Sequence, residues 1–245
     1  HQEARRQRQM CIRDSINEDL FIYDIKRFQN FHSNLDFIKE RITETLGDLY
    51  GMHWPYKQHK TSRNQKLLPY HDELKKAGAC FGVSGGYERP MWFNLNGSPA
   101  EYKYSYGYQN WYPSVENETK NTKKNVGLFE LSPFSKFDLR GEKSFEDLQR
   151  ICTANIKSTP GKTTYTQILN KDGGIEIDCT VVCLDKNYFR VISSAATRER
   201  DKFFILKNIS DEVEFKDVTD DYCCLGLFGP KSRDLLFKIS KDDFS

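Results

Sequence analysis

The sequence predicts an α+β protein built on antiparallel sheets. Residues 164–169 form a strand-like run, the turn KDGG at 171–174 closes a hairpin, and residues 175–184 return as a second strand. A second turn, DKN at 185–187, starts another hairpin strand. Segments with helical periodicity lie on either side of these hairpins, so helices and antiparallel strands are both expected.

The first part of the chain contains one strand-like run and one strongly periodic segment. Residues 20–28 have the composition of a strand, and residues 34–49 place Leu35, Ile42 and Leu49 at helical spacing. A strand followed by an amphipathic helix is predicted here.

Residues 94–125 are rich in Tyr, Asn and Ser and are predicted to be a connector with one helix. Ser114 is the expected N-cap of this helix. Glu116 and Glu118 fall in its first turn and Lys124 near its end, an order that suits the helix dipole.

The rest of the chain continues the mixed pattern. Helices are predicted over residues 145–151 and 196–206, strands over 213–218 and 222–228, and a last helix after Gly229.

Composition excludes several classes of protein. Lys and Arg number 37 against 35 Asp and Glu, the two signs are interspersed, and the net charge is +2. The sequence therefore has neither a basic patch of the kind that binds nucleic acid nor a polybasic segment of the kind that binds a membrane surface. No apolar run reaches the ~20 residues of a membrane span. We therefore expect neither nucleic acid nor membrane as a partner.

Cysteine usage indicates a reducing compartment. Six of the seven cysteines lie in apolar strands or helices: Cys80, Cys152, Cys179, Cys183, Cys223 and Cys224. Neither the Cys223–Cys224 pair nor the spacing of Cys179 and Cys183 comes with a nearby histidine, so no metal site is expected. The cytoplasm, or the mitochondrial matrix if the source is eukaryotic, is the predicted location.

Residues 1–15 read as a non-native leader. Arginines surround glutamines without any apolar period, and the string RQMCIRDS at 8–15 resembles translated adapter sequence. This leader is left out of the fold prediction.

The strand after the first hairpin carries the candidate site. Side chains alternate along a strand, so Asp178 and Thr180 share a face with Val182 and Leu184. This face could be the polar end and apolar wall of a ligand slot. A solvated strand edge is the alternative that the pattern leaves open. Glu176 is on the same face by alternation and is interpreted as solvent-facing or hairpin-supporting.

Five sequence blocks resemble a known family. They are VGLFELS at 126–132, KFDLRG at 136–141, PGKTTY at 160–165, GGIEID at 173–178 and ATRERD at 196–201. In this order they resemble the amino-terminal part of the aminomethyltransferase fold, the folate-binding unit of the glycine cleavage system T-protein. The same unit forms the carboxy-terminal half of dimethylglycine and sarcosine dehydrogenases.

Two upstream blocks, DIKRF at 24–28 and GYERPMWF at 86–93, look like the end of the middle domain of those flavin-linked enzymes. Lys26 and Tyr87 are mild departures from the family pattern, which has Arg and Trp there. A free-standing T-protein lacks this region and is disfavoured.

The resemblance implies a division of the chain after the leader. Residues 16–110 would be the carboxy-terminal part of the flavin oxidoreductase central domain. Residues 111–245 would be the amino-terminal part of the folate-binding domain, truncated, so the chain is expected to be a fragment. No GxGxxG dinucleotide loop occurs in it.

The resemblance also implies an activity. The whole protein would be an FAD-dependent dimethylglycine or sarcosine oxidoreductase that passes the one-carbon unit to tetrahydrofolate, forming 5,10-methylenetetrahydrofolate. FAD would be bound mainly by an amino-terminal domain, and oxygen or an electron-acceptor protein would take the electrons. The alternative is a non-catalytic relative similar to the pyruvate dehydrogenase phosphatase regulatory subunit.

The family's site residues map onto four positions. Asp178 is the implied catalytic carboxylate, and Tyr165, Thr180 and Ile192 are the implied folate contacts. Tyr165 would stack on or hydrogen-bond the pterin; an ordinary buried strand tyrosine is the alternative.

Other candidates are interpreted as structural. His53, His59 and His71 lie in the middle-domain region as lone histidines. Arg63 and Arg89 could hold a substrate or flavin anion, although a domain-interface clamp is an equal explanation for Arg89.

Overall fold

Five antiparallel strands form the main sheet of the structure, a computed structural model that describes residues 24–25, 28–97 and 99–243. In spatial order the strands are β5 (Thr163–Leu169), β6 (Ile175–Asp185), β7 (Tyr188–Ser193), β4 (Ser135–Arg140) and β8 (Glu214–Asp217). Two smaller antiparallel sheets pair β1 (Ala79–Ser84) with β2 (Tyr87–Phe93), and β3 (Gly127–Glu130) with β9 (Leu225–Phe228). The predicted antiparallel architecture is confirmed.

Helices flank these sheets. Those of the described residues are α1 (Leu35–Asp48), α2 (His71–Lys76), α3 (Tyr112–Lys124), α4 (Ser144–Ile151), α5 (Arg198–Asn208) and α6 (Ser232–Ile239). None of them has both the length and the hydrophobicity that a bilayer crossing requires. The predicted leader lies outside the described residues, as does most of the strand predicted at 20–28.

The predicted N-cap of α3 is wrong. The helix begins at Tyr112, two residues before Ser114, and its cap position makes no side-chain hydrogen bond. Pro113 explains the earlier start, because its fixed φ and missing N–H suit the first turn of a helix. Ser114 is therefore inside the helix.

The main core lies on one face of the five-stranded sheet. Leu148 of α4 and Ile205 of α5 are fully buried against it. The strands contribute Phe137, Leu139, Ile168, Ile177, Cys179, Val181, Cys183, Phe189 and Val191. Burial raises the pKa of the Cys152 thiol to about 12, so this core cysteine is unreactive at neutral pH. The apolar face predicted for β6 from Ile177 onward is confirmed, whereas Ile175 is exposed.

Helix α1 uses its polar face, not its apolar one, to hold the neighbouring loop. Glu44 accepts hydrogen bonds from the backbone N–H groups of Lys60 and Thr61 at 2.7 and 2.9 Å. Leu35 and Leu49 of the predicted apolar stripe are exposed. The periodicity thus predicted the helix correctly but not the face that packs.

Asp201 of α5 is a buried carboxylic acid beneath the main sheet. Its Oδ2 accepts hydrogen bonds from the hydroxyls of Ser193 at 2.6 Å and Thr197 at 2.9 Å, while its Oδ1 has no hydrogen-bond partner in the described structure. Burial raises its pKa to about 6, against the lowering effect of those hydroxyls. Asp201 is therefore held in its protonated form well above the pH at which a free aspartate ionises.

We expect Asp201→Asn to stabilise the protein at pH 8 but not at pH 4. Because the pKa of Asp201 is raised in the folded state, the wild type has its full stability below pH ~4. Part of that stability is lost as pH rises through about 6, because the unfolded state then holds fewer protons than the folded state. The loss corresponds to about 2–3 kcal/mol. Urea unfolding at both pH values measures it, with exposed Asp211→Asn as the control. A pH-independent difference between variant and wild type would contradict this assignment.

Candidate functional site

The outer face of the main sheet, opposite the core, brings the four predicted site residues together. Tyr165 on β5 pairs directly with Thr180 on β6, and Thr180 pairs with Ile192 on β7. Asp178 precedes Thr180 by two residues and therefore shares its face. It lies directly opposite Gln167 of β5. We call this set of five residues, Tyr165, Gln167, Asp178, Thr180 and Ile192, the outer-face cluster.

Two side chains of β5 interact with Asp178. The amide Nε2 of Gln167 donates to Asp178 Oδ1 at 3.1 Å. The nearby Asp178 carboxylate raises the pKa of the Tyr165 phenol, and partial burial adds to this effect. A carboxylate has about four lone-pair positions, so the Gln167 donor orients it and leaves other acceptor sites open.

The outer-face cluster is open to solvent in the described part of the chain. Tyr165 is 65% exposed and Asp178 is also exposed, whereas Thr180 and Ile192 are half-buried. The alternative of a buried strand tyrosine is therefore wrong. A phenol and a carboxylate beside a half-buried apolar residue can together contact a flat heteroaromatic ring that carries N–H groups.

The face continues past Thr180 to Val182, which is half-buried as the predicted wall requires. A register shift between Cys183 and Asp185 then interrupts the pairing at Leu184, which is 37% exposed. Leu184 thus lies where the regular alternation of β6 is broken.

Glu176 does not face solvent. A register shift between Ile168 and Leu169 interrupts the alternation at the start of β6. The Glu176 side chain is 8% exposed and pairs with Arg200 of α5. Asn170 in the hairpin turn donates to it at 2.9 Å. The hairpin-supporting interpretation is therefore correct, and the solvent-facing one is wrong.

Sequence reasoning missed a buried ion pair on the same outer face. Arg190 of β7 donates to both oxygens of Asp138 of β4 at 2.6 and 2.9 Å, and Tyr188 adds a bond at 2.5 Å. Burial alone would raise the pKa of Asp138, but these donors outweigh it and the pKa is lowered. A cleft of about 250 Å³ lies beside the pair and is lined in part by Glu214. The sequence did contain a signal for this pair, because Asp138 on β4 and Arg190 on β7 are each a charged residue between two apolar neighbours.

Three of the remaining candidates, Arg63, Arg89 and His71, have structural partners. Arg63 donates to both oxygens of Glu88, at 2.7 and 2.5 Å, and to two backbone carbonyls. Arg89 reaches the carbonyl of Glu130 at 3.4 Å, which links β2 to β3 as an interface contact. His71 packs on the ring of Phe81 with centroids 4.3 Å apart.

One group of described residues has donor atoms close enough to hold a cation. Glu44, Asp48 and His59 place one donor atom each within 4.8 Å of one another. Glu44 already accepts three hydrogen bonds from the loop at residues 60–61, and Asp48 pairs with Lys57 at 2.5 Å. The carboxylates therefore serve the packing of α1, and no metal is assigned to them.

Comparison with known families divides the chain into two matches. The family of the GCVT N-terminal domain matches residues 70–245. The family of the FAD dependent oxidoreductase central domain matches residues 16–67. The outer-face cluster lies wholly within the first match.

Three curated relatives illustrate the similarity. The 4-methylaminobutanoate oxidase (formaldehyde-forming) of Paenarthrobacter nicotinovorans is 39% identical and covers 91% of this chain and 27% of its own length. The pyruvate dehydrogenase phosphatase regulatory subunit of Mus musculus is 28% identical, with 91% and 26% covered. The dimethylglycine dehydrogenase of Homo sapiens is 30% identical, with 93% and 26% covered. The chain thus spans about a quarter of the length of each relative.

A solved structure shares the fold. The glycine cleavage system aminomethyltransferase T of Bartonella henselae superposes with a TM-score of 0.58 at 23% identity, covering 71% of this chain and 43% of that structure. This likeness confirms the predicted aminomethyltransferase architecture.

Proposed function

Because the chain belongs to the family of the GCVT N-terminal domain and also matches the FAD dependent oxidoreductase central domain, we propose that it is part of a flavin-dependent oxidoreductase of N-methylated amino acids. The proposed substrate is an N-methylated glycine, dimethylglycine or sarcosine. The outer-face cluster would bind tetrahydrofolate and accept the one-carbon unit, giving 5,10-methylenetetrahydrofolate. The observation that carries this proposal is the hydrogen bond by which Gln167 of β5 orients the exposed Asp178 carboxylate on the same face as Tyr165.

The residues of the outer-face cluster fit a folate. Tetrahydrofolate supplies the nitrogens that capture a one-carbon group before water can release it as formaldehyde. Tyr165 offers a flat, exposed ring for stacking, and Ile192 a half-buried apolar surface beside it. Thr180, between them, offers a hydroxyl that can donate or accept.

Asp178 has the central role in the proposal. Its carboxylate can accept a hydrogen bond from a folate amine and so orient that amine. It can also stabilise the positive charge of the oxidised substrate and take the proton that leaves when the new C–N bond forms. Gln167 occupies only part of its acceptor capacity, so these roles remain open to it.

FAD would supply the oxidation of the amine. Arg63, one candidate for holding a flavin phosphate, is saturated by Glu88 and by backbone carbonyls. We therefore propose that FAD is bound mainly by an amino-terminal domain of the oxidoreductase. The same domain would determine whether oxygen or an electron-acceptor protein takes the electrons. The division into a central-domain part at 16–110 and a folate-binding part at 111–245 belongs to the same proposal.

The regulatory relative gives the second candidate function, protein interaction without catalysis. The similarity to the phosphatase regulatory subunit is comparable in extent to that with dimethylglycine dehydrogenase. Asp178 and the Gln167 donor that orients it favour the enzyme, because a purely architectural role needs no oriented, solvent-facing carboxylate.

Tetrahydrofolate binding tests the proposal. We expect calorimetry on the full-length polypeptide encoded by the gene to show binding, and Tyr165→Ala to weaken it roughly tenfold through loss of the stacking surface. Tyr165→Phe should bind nearly as well as wild type, and Tyr50→Ala, which removes another exposed tyrosine, is the control. Wild-type affinity in Tyr165→Ala would remove Tyr165 from the site. No binding by the wild type would favour the regulatory function.

A further inference from the structure

Gln167 is the one member of the outer-face cluster that neither the sequence pattern nor the family resemblance identified. Its side chain projects from β5 on the same face as Tyr165 and lies directly opposite Asp178. Directly opposed residues in an antiparallel pair have Cβ atoms about 4.5–5.5 Å apart, close enough for a side-chain contact to persist.

One hydrogen bond fixes the Asp178 carboxylate against β5. The Gln167 amide donates to Asp178 Oδ1 at 3.1 Å. Tyr165 lies on the same face, two residues before Gln167, and Asp178 is the main cause of the raised pKa of its phenol. Gln167 is therefore the β5 side chain that holds the carboxylate beside the phenol.

A packing role does not explain this side chain. The core face of β5 is formed by Thr164, Thr166 and Ile168, which are all buried, while Gln167 is half-buried on the opposite face. Its backbone carbonyl is occupied separately, by the N–H of Thr153 at 2.9 Å. The side chain can therefore change without opening the core.

We propose that Gln167 is the positioning residue that aligns the Asp178 carboxylate for one-carbon transfer, an inference that rests on the proposed function. The exposed Asp178 side chain would otherwise rotate freely about its own torsion angles. With the amide in place, one oxygen is fixed against β5 and the other is directed toward the ligand. A misplacement of about 1 Å at a reacting group can reduce a rate about 10²-fold.

The test compares three variants of the full-length polypeptide. Gln167→Leu keeps the approximate size but removes the donors, Gln167→Glu places a second carboxylate opposite Asp178, and Gln167→Asn keeps a shortened donor. We expect kcat for 5,10-methylenetetrahydrofolate formation to fall about 10²-fold in the Leu and Glu variants, with partial rescue in the Asn variant. KM for tetrahydrofolate should stay near the wild-type value. Thr163→Val, on the same strand and face, is the matched control.

A second readout does not depend on folate. In wild type Asp178 is the main cause of the raised pKa of Tyr165, whereas Gln167 acts to lower this pKa. If Gln167 holds Asp178 in place beside the phenol, Gln167→Leu removes both influences and the Tyr165 pKa falls, since the Asp178 contribution is the larger. NMR titration of ¹³C-labelled tyrosine, assigned with Tyr165→Phe, measures this direction.

The two readouts separate the possible failures. A raised or unchanged Tyr165 pKa in Gln167→Leu overturns the positioning role, whatever the activity. A higher KM with unchanged kcat also overturns it and makes Gln167 a direct ligand contact. If the wild type forms no 5,10-methylenetetrahydrofolate, the proposed function fails, and the NMR titration still decides whether Gln167 positions Asp178.

Discussion

Asp178→Asn should reduce the formation of 5,10-methylenetetrahydrofolate by about 10²–10⁴-fold, the range typical of a lost general acid–base group. Asparagine keeps the size of the side chain and one acceptor oxygen, so the hydrogen bond from Gln167 can persist. It removes the negative charge that would stabilise a cationic one-carbon group and the basic oxygen that would take the proton. The oxidation of the amine should continue, so formaldehyde should accumulate instead.

The matched control is Asp185→Asn at the other end of the same strand. Asp185 is also exposed, and its Oδ1 accepts a hydrogen bond from the backbone N–H of Lys186 at 2.7 Å. We expect this variant to keep wild-type transfer. A normal rate of transfer in Asp178→Asn would exclude Asp178 from the chemistry, and a parallel loss of amine oxidation in that variant would indicate general damage instead.

Arg63→Leu should destabilise the protein by about 3–5 kcal/mol, as expected when one partner of a buried ion pair is removed. Glu88 is 2% exposed and would be left as an unpaired buried carboxylate. Burial acts to raise the pKa of Glu88, yet the hydrogen bonds from Arg63 and from the backbone N–H of Asn64 keep it lowered. Urea unfolding at neutral pH measures the loss.

Two comparisons isolate the cause of this loss. The double variant Arg63→Met, Glu88→Leu removes both charges and should be clearly more stable than Arg63→Leu alone. Lys120→Met breaks the Lys120–Glu116 pair of α3, which has the same 2.5 Å separation but is exposed, and should change stability by less than about 1 kcal/mol. Equal losses in the buried and exposed pairs would contradict the role assigned to burial.

The local pattern of the chain was enough to predict much of the fold. Alternation and turn composition predicted the β5–β6 hairpin, and the buried row from Ile177 to Cys183 confirms it. The same alternation failed at Glu176, because a register shift depends on how β5 pairs with β6, and that pairing is not encoded in either strand alone. The exposed stripe of α1 shows the same limit, since periodicity does not specify which face finds a partner.

The candidate site was predictable only in part. The family resemblance indicated Asp178, Tyr165, Thr180 and Ile192, and the strand register places them on one face. Gln167 escaped notice because its importance comes from lying opposite Asp178, eleven residues away along the chain. The Asp138–Arg190 pair joins strands more than fifty residues apart and needed the β4–β7 register to be recognised.

The fate of the one-carbon unit is the most direct test of the central claim. The full-length polypeptide would oxidise a labelled N-methylglycine in the presence of tetrahydrofolate, with excess formaldehyde dehydrogenase removing any free formaldehyde. Because spontaneous condensation is thereby suppressed, label in 5,10-methylenetetrahydrofolate must come from transfer on the protein. Our account predicts label there for the wild type and its loss in Asp178→Asn. For the wild type, recovery of all label as formate, the product that the dehydrogenase makes from released formaldehyde, would contradict it and would match the formaldehyde-forming reaction for which the 4-methylaminobutanoate oxidase of Paenarthrobacter nicotinovorans is named.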